Sequence, residues 1–444
     1  MLSSEIVVPF VRVVVVNYDG GDVTMRCLRS LQEIDYPQER LDVVVVDNGS
    51  VDGLVWKIPQ VFPKVRVIES FTNEGFARGN NLAMENLEGV DVVALLNNDA
   101  IADSNWLRPL VASLFSEESN GATCSKMLFN RNVIGLEISP PNSAVCISDV
   151  LVNGVQSLHN CSFDERFDRS GLGYGALTAQ YWLTRSASFW VDAPVDQRRE
   201  STMLSVKLHS QTDNCVRVRF GQIDSTLMLT PTPTWFEFEF FDHMRVINNA
   251  GGGIFAGLHA GDLGFKELDL GQYEEQKEVF SFCGGAVALK SAFLKDVGLF
   301  DPTYFLYYED LDLAWRGHYA GWSYLYVPES IVLHEHAYSS GAGSAFFKFW
   351  VDRNRRLTLI KNAPARIAFR AFAGAILWCV RDTVRPLMRS LVRLRRPPVK
   401  KIKYRLRQLG SFLKAVPHAY QFRRKQLKRS PIKPKFVYEW ISKR

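Results

Sequence analysis

At residues 94–100 the sequence reads ALLNNDA, an apolar run ending in Asn97, Asn98 and Asp99. Burying a bare carboxylate is costly, so Asp99 must meet a cation or another partner. Two further apolar runs end alike: VRVVVVN (11–17) stops at Asn17, and LDVVVVDNGS (41–50) passes through Asp47 and Asn48. A carboxylate at Asp47 suits hydrogen bonds from a base imide or a ribose hydroxyl. One strand-end Asn or Asp is more often a helix cap or an Asx turn. Three at equivalent ends are harder to explain that way. A second acidic cluster lies in YYEDLDLAWR, where Glu309, Asp310 and Asp312 fall within four residues and Arg316 follows. Such carboxylates can take a proton from a nucleophile. The competing reading is an acidic N-cap for the helix DLDLAWRGHY.

These side chains need elements that bring them together. None of the three apolar runs, the last being DVVALLNND (91–99), alternates polar with apolar residues, so each reads as a parallel strand buried on both faces. Helical stretches at 22–34 and 77–87 separate them, and strand–helix–strand alternation implies an α/β doubly wound sheet. Ligands of such sheets bind outside the carboxyl ends of the strands, where Asn17, Asp47 and Asp99 converge. No GxGxxG follows the first strand and no GxxxxGK[ST] occurs anywhere, so a nicotinamide dehydrogenase and a P-loop NTPase are unsupported. A nucleotide bound here is read by side chains.

With 444 residues, the chain is long enough for two or three domains. Its 47% apolar and 23% charged residues are those of a globular protein. Seven scattered cysteines without a CxxC pair argue against a zinc ribbon or disulfide framework and fit a reducing cytosol. The N-terminal segment lacks a basic n-region, so no signal peptide is expected. The net charge of +6 conceals an asymmetry: residues 381–444 hold 21 Lys and Arg against Asp382 and Glu439, a local +19, which leaves the first 380 residues at −13.

The segments VVVVNYDGGDVTMRCLRSLQ, VVVVDNGSVDG, NEGFARGNNLAMEN and VVALLNNDA resemble, in order and spacing, glycosyltransferase family 2. The bacterial rhamnosyltransferase-like branch is the most similar. A later block, from FCGGAVALK through FDPTYFLYYEDLDLAWRGHYAGW to VPESIVLHEH, resembles it too, so the likeness covers roughly residues 10–130 and 245–362. It implies a GT-A fold with a mostly parallel, Rossmann-like sheet, a nucleotide-sugar donor and inverting transfer.

The resemblance also distributes roles. Asp99 stands where the family's D-x-D-type motif holds a divalent ion, Mg²⁺ or Mn²⁺, on the donor diphosphate. Asn97 replaces the first acid of that motif, and an amide oxygen still binds a hard cation with less charge. Asp47 matches a nucleoside contact, and Asn17, Asn73, Arg78 and Asn98 complete the nucleotide pocket. Gly284 and Gly285 resemble a loop that lets backbone approach the donor sugar. Asp310 matches the general base; Glu309 is expected to orient the acceptor and Arg316 to meet the charge of the leaving diphosphate. His334 stands where the family has a metal-coordinating His, with His336 as the alternative.

Between the two similar blocks, TMLSVKLHS (202–210), NCVRVRFG (214–221) and TWFEFEFF (234–241) alternate, which argues an inserted antiparallel β-sandwich. Trp182, Trp190 and Trp235 invite a sugar-binding role, although aromatics on such strands are more often core. After residue 362 the chain is basic. Its apolar stretch 371–380 is too short to span a bilayer, and a basic amphipathic helix lying on an anionic membrane is the better reading. No RNA motif accompanies the charge, so nucleic acid is not an expected partner. The expected domains are thus 1–130 (nucleotide-sugar half), 131–244 (β-rich insert), 245–362 (metal and acceptor half) and 363–444 (basic helical, membrane-associating). These features anticipate a transferase acting in cell-envelope polysaccharide synthesis, peripheral on the inner face of the cell membrane. The donor is expected to be deoxythymidine-diphosphate rhamnose before uridine-diphosphate hexoses or galactofuranose, and the acceptor a glycan or lipid-linked glycan. A non-catalytic sugar-binding relative is the alternative.

Overall fold

The first strand, β1 (Val11–Asn17), is almost wholly buried, as a run of valines with no polar face requires. In this computed structural model, which describes residues 8–140, 144–163, 181–183, 185–193, 201–255, 258–335, 344–393, 396–430 and 432–441, β1 sits inside a ten-stranded sheet. It pairs in parallel with β2 (Leu41–Asn48) on one side and β4 (Val92–Leu96) on the other, and β3 (Arg66–Ser70) extends β2. The register sets Asn17 opposite Asp47, so the polar strand ends lie level. Helices α1 (Asp22–Gln32), α2 (Leu54–Val61) and α3 (Gly75–Met84) make the crossovers.

Beyond β4 the sheet turns antiparallel, and that reversal builds the site. Strand Ala286–Lys290 runs against β4, with Ala286 beside Leu96, so the residues just before it arrive at the carboxyl end of β4. Strand Ser323–His334 runs against the short β5 (Ala100–Ala102), with His334 beside Ala100, and delivers its last residue to Asp99. The remaining partner is β6 (Asn120–Phe129), against which Ala286–Lys290 also packs. Helix α4 (Leu107–Leu114) covers these strands, and α5 (Ser291–Val297) leads toward α6 (Glu309–Ala320).

Two compact units divide the chain. One comprises Met1–Ser125, Gly251–Leu263 and Gln276–Arg444; the other comprises Lys126–Ala250 and Gly264–Glu275. The second is a β-sandwich, as the alternation at 202–210, 214–221 and 234–241 requires: those stretches form strands Thr202–Ser210, Asn214–Phe220 and Thr234–Phe240. Its two five-stranded sheets share one core that includes Val133, Leu136, Val150, Leu204, Val216 and Phe240. Trp190 belongs to that core, which removes it from the candidate sugar contacts. Trp235 is 39% exposed on the outer face of the sandwich, and Trp182 stands edge-on to His209.

The basic C-terminal region differs from the expected appended tail. Helices α7 (Ala345–Asn362), α8 (Ala365–Val392) and α9 (Val399–Arg429) pack on one another within the first unit, and α10 (Val437–Ile441) closes against it. Val437 is fully buried with Phe280, Trp315, Tyr319 and Leu359. Arg423 of α9 donates to the carbonyls of Ile360 and Ala363. The boundary drawn at 362/363 therefore cuts through a packed layer. Deleting residues from Arg381 onward is expected to lower the thermal midpoint of the first unit and yield insoluble protein; a soluble truncation with unchanged melting would contradict this packing.

Candidate active site

The strand ends are organised by Asn17. Fully buried, it donates from Nδ2 to Asp47 Oδ1 and Ser50 Oγ, both at 3.0 Å, and accepts at Oδ1 from Thr24 Oγ1 at 2.8 Å and Gly20 N at 3.2 Å. Asn98 joins this cluster by donating to Thr24 Oγ1 (3.0 Å). Asn17 has no polar atom left for a ligand, so it acts by holding Asp47. Asn48, adjacent to Asp47, donates to Asn73 Oδ1 (3.2 Å) and Gly75 O (3.1 Å) and accepts from Glu74 N (2.9 Å). Asn73 also accepts from Gly75 N, which makes it the turn that opens α3. Arg78, one turn into α3, is largely exposed and reaches Glu74 at 3.3 Å, leaving guanidinium surface toward solvent.

Asp99, Asn97 and His334 form the second group. His334 Nε2 lies 3.0 Å from Asp99 Oδ1 and 3.2 Å from Asn97 Nδ2, and both Asp99 and His334 are more than nine-tenths buried. A half-turn of the Asn97 amide presents its oxygen at the same place. The backbone holds the trio, since Glu335 N donates to Asp99 O and Asn97 N to Gly285 O. His336 lies outside the described residues.

Gly285 leads to the third group. Its neighbour Gly284 donates N–H to Asp310 Oδ2 at 3.1 Å, and Asp310 Oδ1 accepts from Leu311 N at 2.7 Å. A Cβ on Gly284 would stand 3.0 Å from the Phe76 ring, which would have to give slightly, and in ordinary contact at 3.8 Å with Asp310 Cβ. Burial pushes the Asp310 carboxyl above its ordinary range, against the lowering effect of those backbone hydrogen bonds. A contact path thus runs from Asp310 through Gly284–Gly285 to Asn97, His334 and Asp99.

The segment before α6 is strained. Tyr307 and Tyr308 both adopt left-handed backbone, at φ 69° and 74°. Bulky residues there cost about 1–3 kcal/mol each and persist only where surroundings enforce them. Asn354 supplies part of that enforcement, donating Nδ2 to the carbonyls of Leu306 and Tyr307. Sequence reading noted Asn48 only as a strand end and gave no role to Asn354 or Gly75. Gly75, at φ 79°, lets Phe76 N bond Phe305 O where a Cβ would stand 2.1 Å from that oxygen.

Two expected roles are corrected. Arg316 is 4% exposed; it donates Nε to Asp312 and its remaining arms to the carbonyls of Val297, Gly298 and Leu299. It clamps α6 to the α5 exit and has no reach to a diphosphate. Glu309, also 4% exposed, leaves Oε2 without a hydrogen-bond partner among the described residues. Burial, then the charge of Asp310, pushes its carboxyl well above the ordinary range. Enclosed at the start of α6, Glu309 has almost no surface to offer an acceptor.

The sequence model of the family described as Glycosyl transferase family 2 matches residues 12–139, the stretch that carries Asn17, Asp47, Asn73, Arg78 and Asn97–Asp99. Residues 12–139 are thus similar to glycosyl transferase family 2. The glycosyltransferase AglE of Haloferax volcanii is 26% identical over 109 residues, 24% of this chain and 36% of that protein. The N-acetylglucosaminyl-diphospho-decaprenol L-rhamnosyltransferase of Mycobacterium tuberculosis is 42% identical over 62 residues, 14% of this chain and 20% of that one. The matches therefore span about a third and a fifth of these relatives' lengths. A crystal structure of GalNAc-T7 with UDP, GalNAc and Mn²⁺ aligns over 96% of this chain and 59% of its own, at 13% identity and a TM-score of 0.46. The family match ends before Gly284, Asp310 and His334, which meet the matched segment through the sheet and through the Asn97–Gly285 and Asp99–His334 contacts.

Proposed function

We propose that the chain is an inverting, metal-dependent glycosyltransferase. In this reading it moves a sugar, L-rhamnose foremost, from a nucleotide-diphosphate donor to a glycan or lipid-linked glycan acceptor at the inner face of the cell membrane. The rhamnosyl and lipid-linked parts are supported by the mycobacterial relative's name, and the cell-envelope setting follows from them. The observation that carries the reading is the contact path joining Asp310 to the Asp99–His334 pair.

Asp47 and Arg78 are assigned to the nucleotide, with Asn17, Asn98 and Asn73 holding the strand ends and loop behind them. The acceptor hydroxyl attacks the anomeric carbon from the face opposite the diphosphate. Its proton passes to Asp310 as the new C–O bond forms, and the electron pair of the breaking glycosyl bond leaves on the diphosphate oxygen. Gly284 N–H fixes the accepting carboxylate, and its lack of a side chain gives the sugar room.

Asn97, Asp99 and His334 fit a hard divalent ion. The side chains stand 3.0 and 3.2 Å apart at one point of the strand ends, and these three residues would hold the ion. Among the described residues no group of three or more His, Cys, Asp or Glu could hold a metal, so donor phosphates and water would supply the other ligands. Such an ion supplies charge for the leaving diphosphate.

The test is a donor panel scored by thermal shift and by transfer, with Mn²⁺ or Mg²⁺ and with chelator. Chelator is expected to abolish transfer, and Asp99→Ala to remove the metal-dependent part of donor binding. Full transfer in excess chelator would overturn the metal assignment, and no stabilisation by any nucleotide sugar would overturn the function.

A further inference from the structure

Helix α8 carries an apolar face that looks away from the protein. Its inward residues Ala375 and Cys379 are 6% and 5% exposed. On the other side Phe369, Leu377, Val380, Val384, Met388 and Leu391 are between 48% and 71% exposed. From Leu377 onward the steps of three and four residues keep them on one stripe. From Leu377 to Leu391, at 1.5 Å per residue, the stripe runs about 21 Å. Helix α9 also carries an exposed apolar residue at every seventh position from Val399 to Tyr420. Patches of this extent mark an interaction surface.

The charges say which surface. Arg370, Arg381, Arg385 and Arg389 of α8 are all exposed alongside the stripe. The helix has one acid, Asp382, and it is occupied by Arg381 at 3.0 Å and Arg405 at 3.5 Å. An apolar protein groove would take the stripe and leave the arginines unmatched. An anionic bilayer takes both, because apolar side chains sink to the acyl boundary while arginine stems lift their heads to the phosphates. Among the described residues no helix is long and apolar enough to cross a membrane, so the contact is in-plane.

We propose that the outward face of α8 lies in the plane of an anionic lipid bilayer, inserting Leu377, Val380, Val384, Met388 and Leu391. This rests on the reading above that the acceptor is membrane-held, yet its readout, vesicle binding, is independent of sugar transfer. The sequence pointed to a basic amphipathic helix in this region; the proposal narrows it to the outward face of α8, Ala365–Val392.

The full chain would be floated with vesicles of phosphatidylcholine, alone or mixed with phosphatidylglycerol. Binding is expected to be at least about tenfold stronger to the mixed vesicles and to fall with salt. The double substitution Val384→Glu, Met388→Glu is expected to weaken it at least about tenfold. Both side chains are exposed, so thermal unfolding should not change. Arg385→Glu with Arg389→Glu should weaken binding comparably and flatten its salt dependence. Equal binding to neutral and mixed vesicles, or undiminished binding by the Val384→Glu, Met388→Glu variant, would overturn the proposal. So would a stable dimer in sedimentation that this variant dissociates, because a second copy would then own the face.

Discussion

Asp310→Asn is expected to leave nucleotide-sugar affinity near normal while lowering the transfer rate about 10²-fold or more. A base that takes its proton only as the sugar transfers contributes to turnover and not to donor binding. The substitution preserves size, and an amide oxygen still accepts the Gly284 N–H that holds the carboxylate. What it loses is proton affinity. The pH profile distinguishes this role from a capping role. Since burial raises the Asp310 pKa, the acid limb of the wild-type rate should lie above the pH of an ordinary aspartate, with activity rising as the carboxyl deprotonates. In the Asn variant the residual rate should lose that limb. The stability sign runs the other way. A carboxyl whose folded pKa is raised destabilises the fold as pH climbs through its titration, so removing it should not lower the melting temperature near neutrality. If Asp310 only caps α6, Asn caps nearly as well and transfer survives. Comparable rates for wild type and variant at saturating donor and metal would reassign the base.

Lys361→Met is expected to cost about 3–5 kcal/mol of stability, measured by urea unfolding of the full chain. Lys361 Nζ is fully buried and lies 2.7 Å from both Asp301 and Asp312. Asp312 would keep Arg316 and Asn362, whereas Asp301 would keep only Thr303 N and the half-exposed His418 at 3.3 Å. In the wild type, burial alone would raise the Asp301 carboxyl, but the charge and hydrogen bond of Lys361, with those of Thr303, outweigh it and hold it well below the ordinary range. A depressed carboxylate contributes stability above its unfolded pKa of about 3.9 that is lost as pH falls through the folded value. Without Lys361, burial prevails and the sign reverses, so the variant's deficit should shrink on acidification. Adding Asp301→Asn should recover much of the loss. A deficit that is unchanged by both acid and the second substitution would mean the cost is packing, not charge.

The strand ends at Asn17, Asp47 and Asp99 were legible because they are local. Valine runs ending in Asn17, Asp47 and Asp99 specify strands, polarity and edge together, and the parallel register then aligns their ends. The sandwich strands were legible for the same reason, since period two writes a face directly into the sequence. Arg316 and Glu309 were misassigned because composition shows that charges are clustered but not which way a helix turns them. Positions 309, 312 and 316 of α6 face inward, where Asp312 meets Arg316 and Lys361 while Glu309 stays enclosed without a cation. The C-terminal layer was misjudged for a related reason: net charge describes its solvent side, whereas Phe412, Ala415, Ala419 and Val437 decide its packing. Asn48, Asn354 and Gly75 carry no motif; their work is visible only once the 73–75 and 305–308 loops meet in space.

Asp99 and His334 are separated by 235 positions, and the whole sandwich is threaded between the strands that complete their sheet. Strand β4 has β1 beside it early in synthesis, but its other edge waits for Ala286–Lys290. Every residue of β4 is buried in the finished molecule, so until then a fully apolar strand presents bare N–H and C=O groups to any passing chain. Closing so long a loop adds only about 0.6 kcal/mol for each doubling of length, but pairings this distant form slowly. On the ribosome, the nascent chain therefore passes through a window with the polar strand ends made, Asp310 and His334 still absent, and one adhesive edge. Yield in a heterologous host should depend on chaperone supply and growth temperature through that edge far more than through the stability of the finished fold.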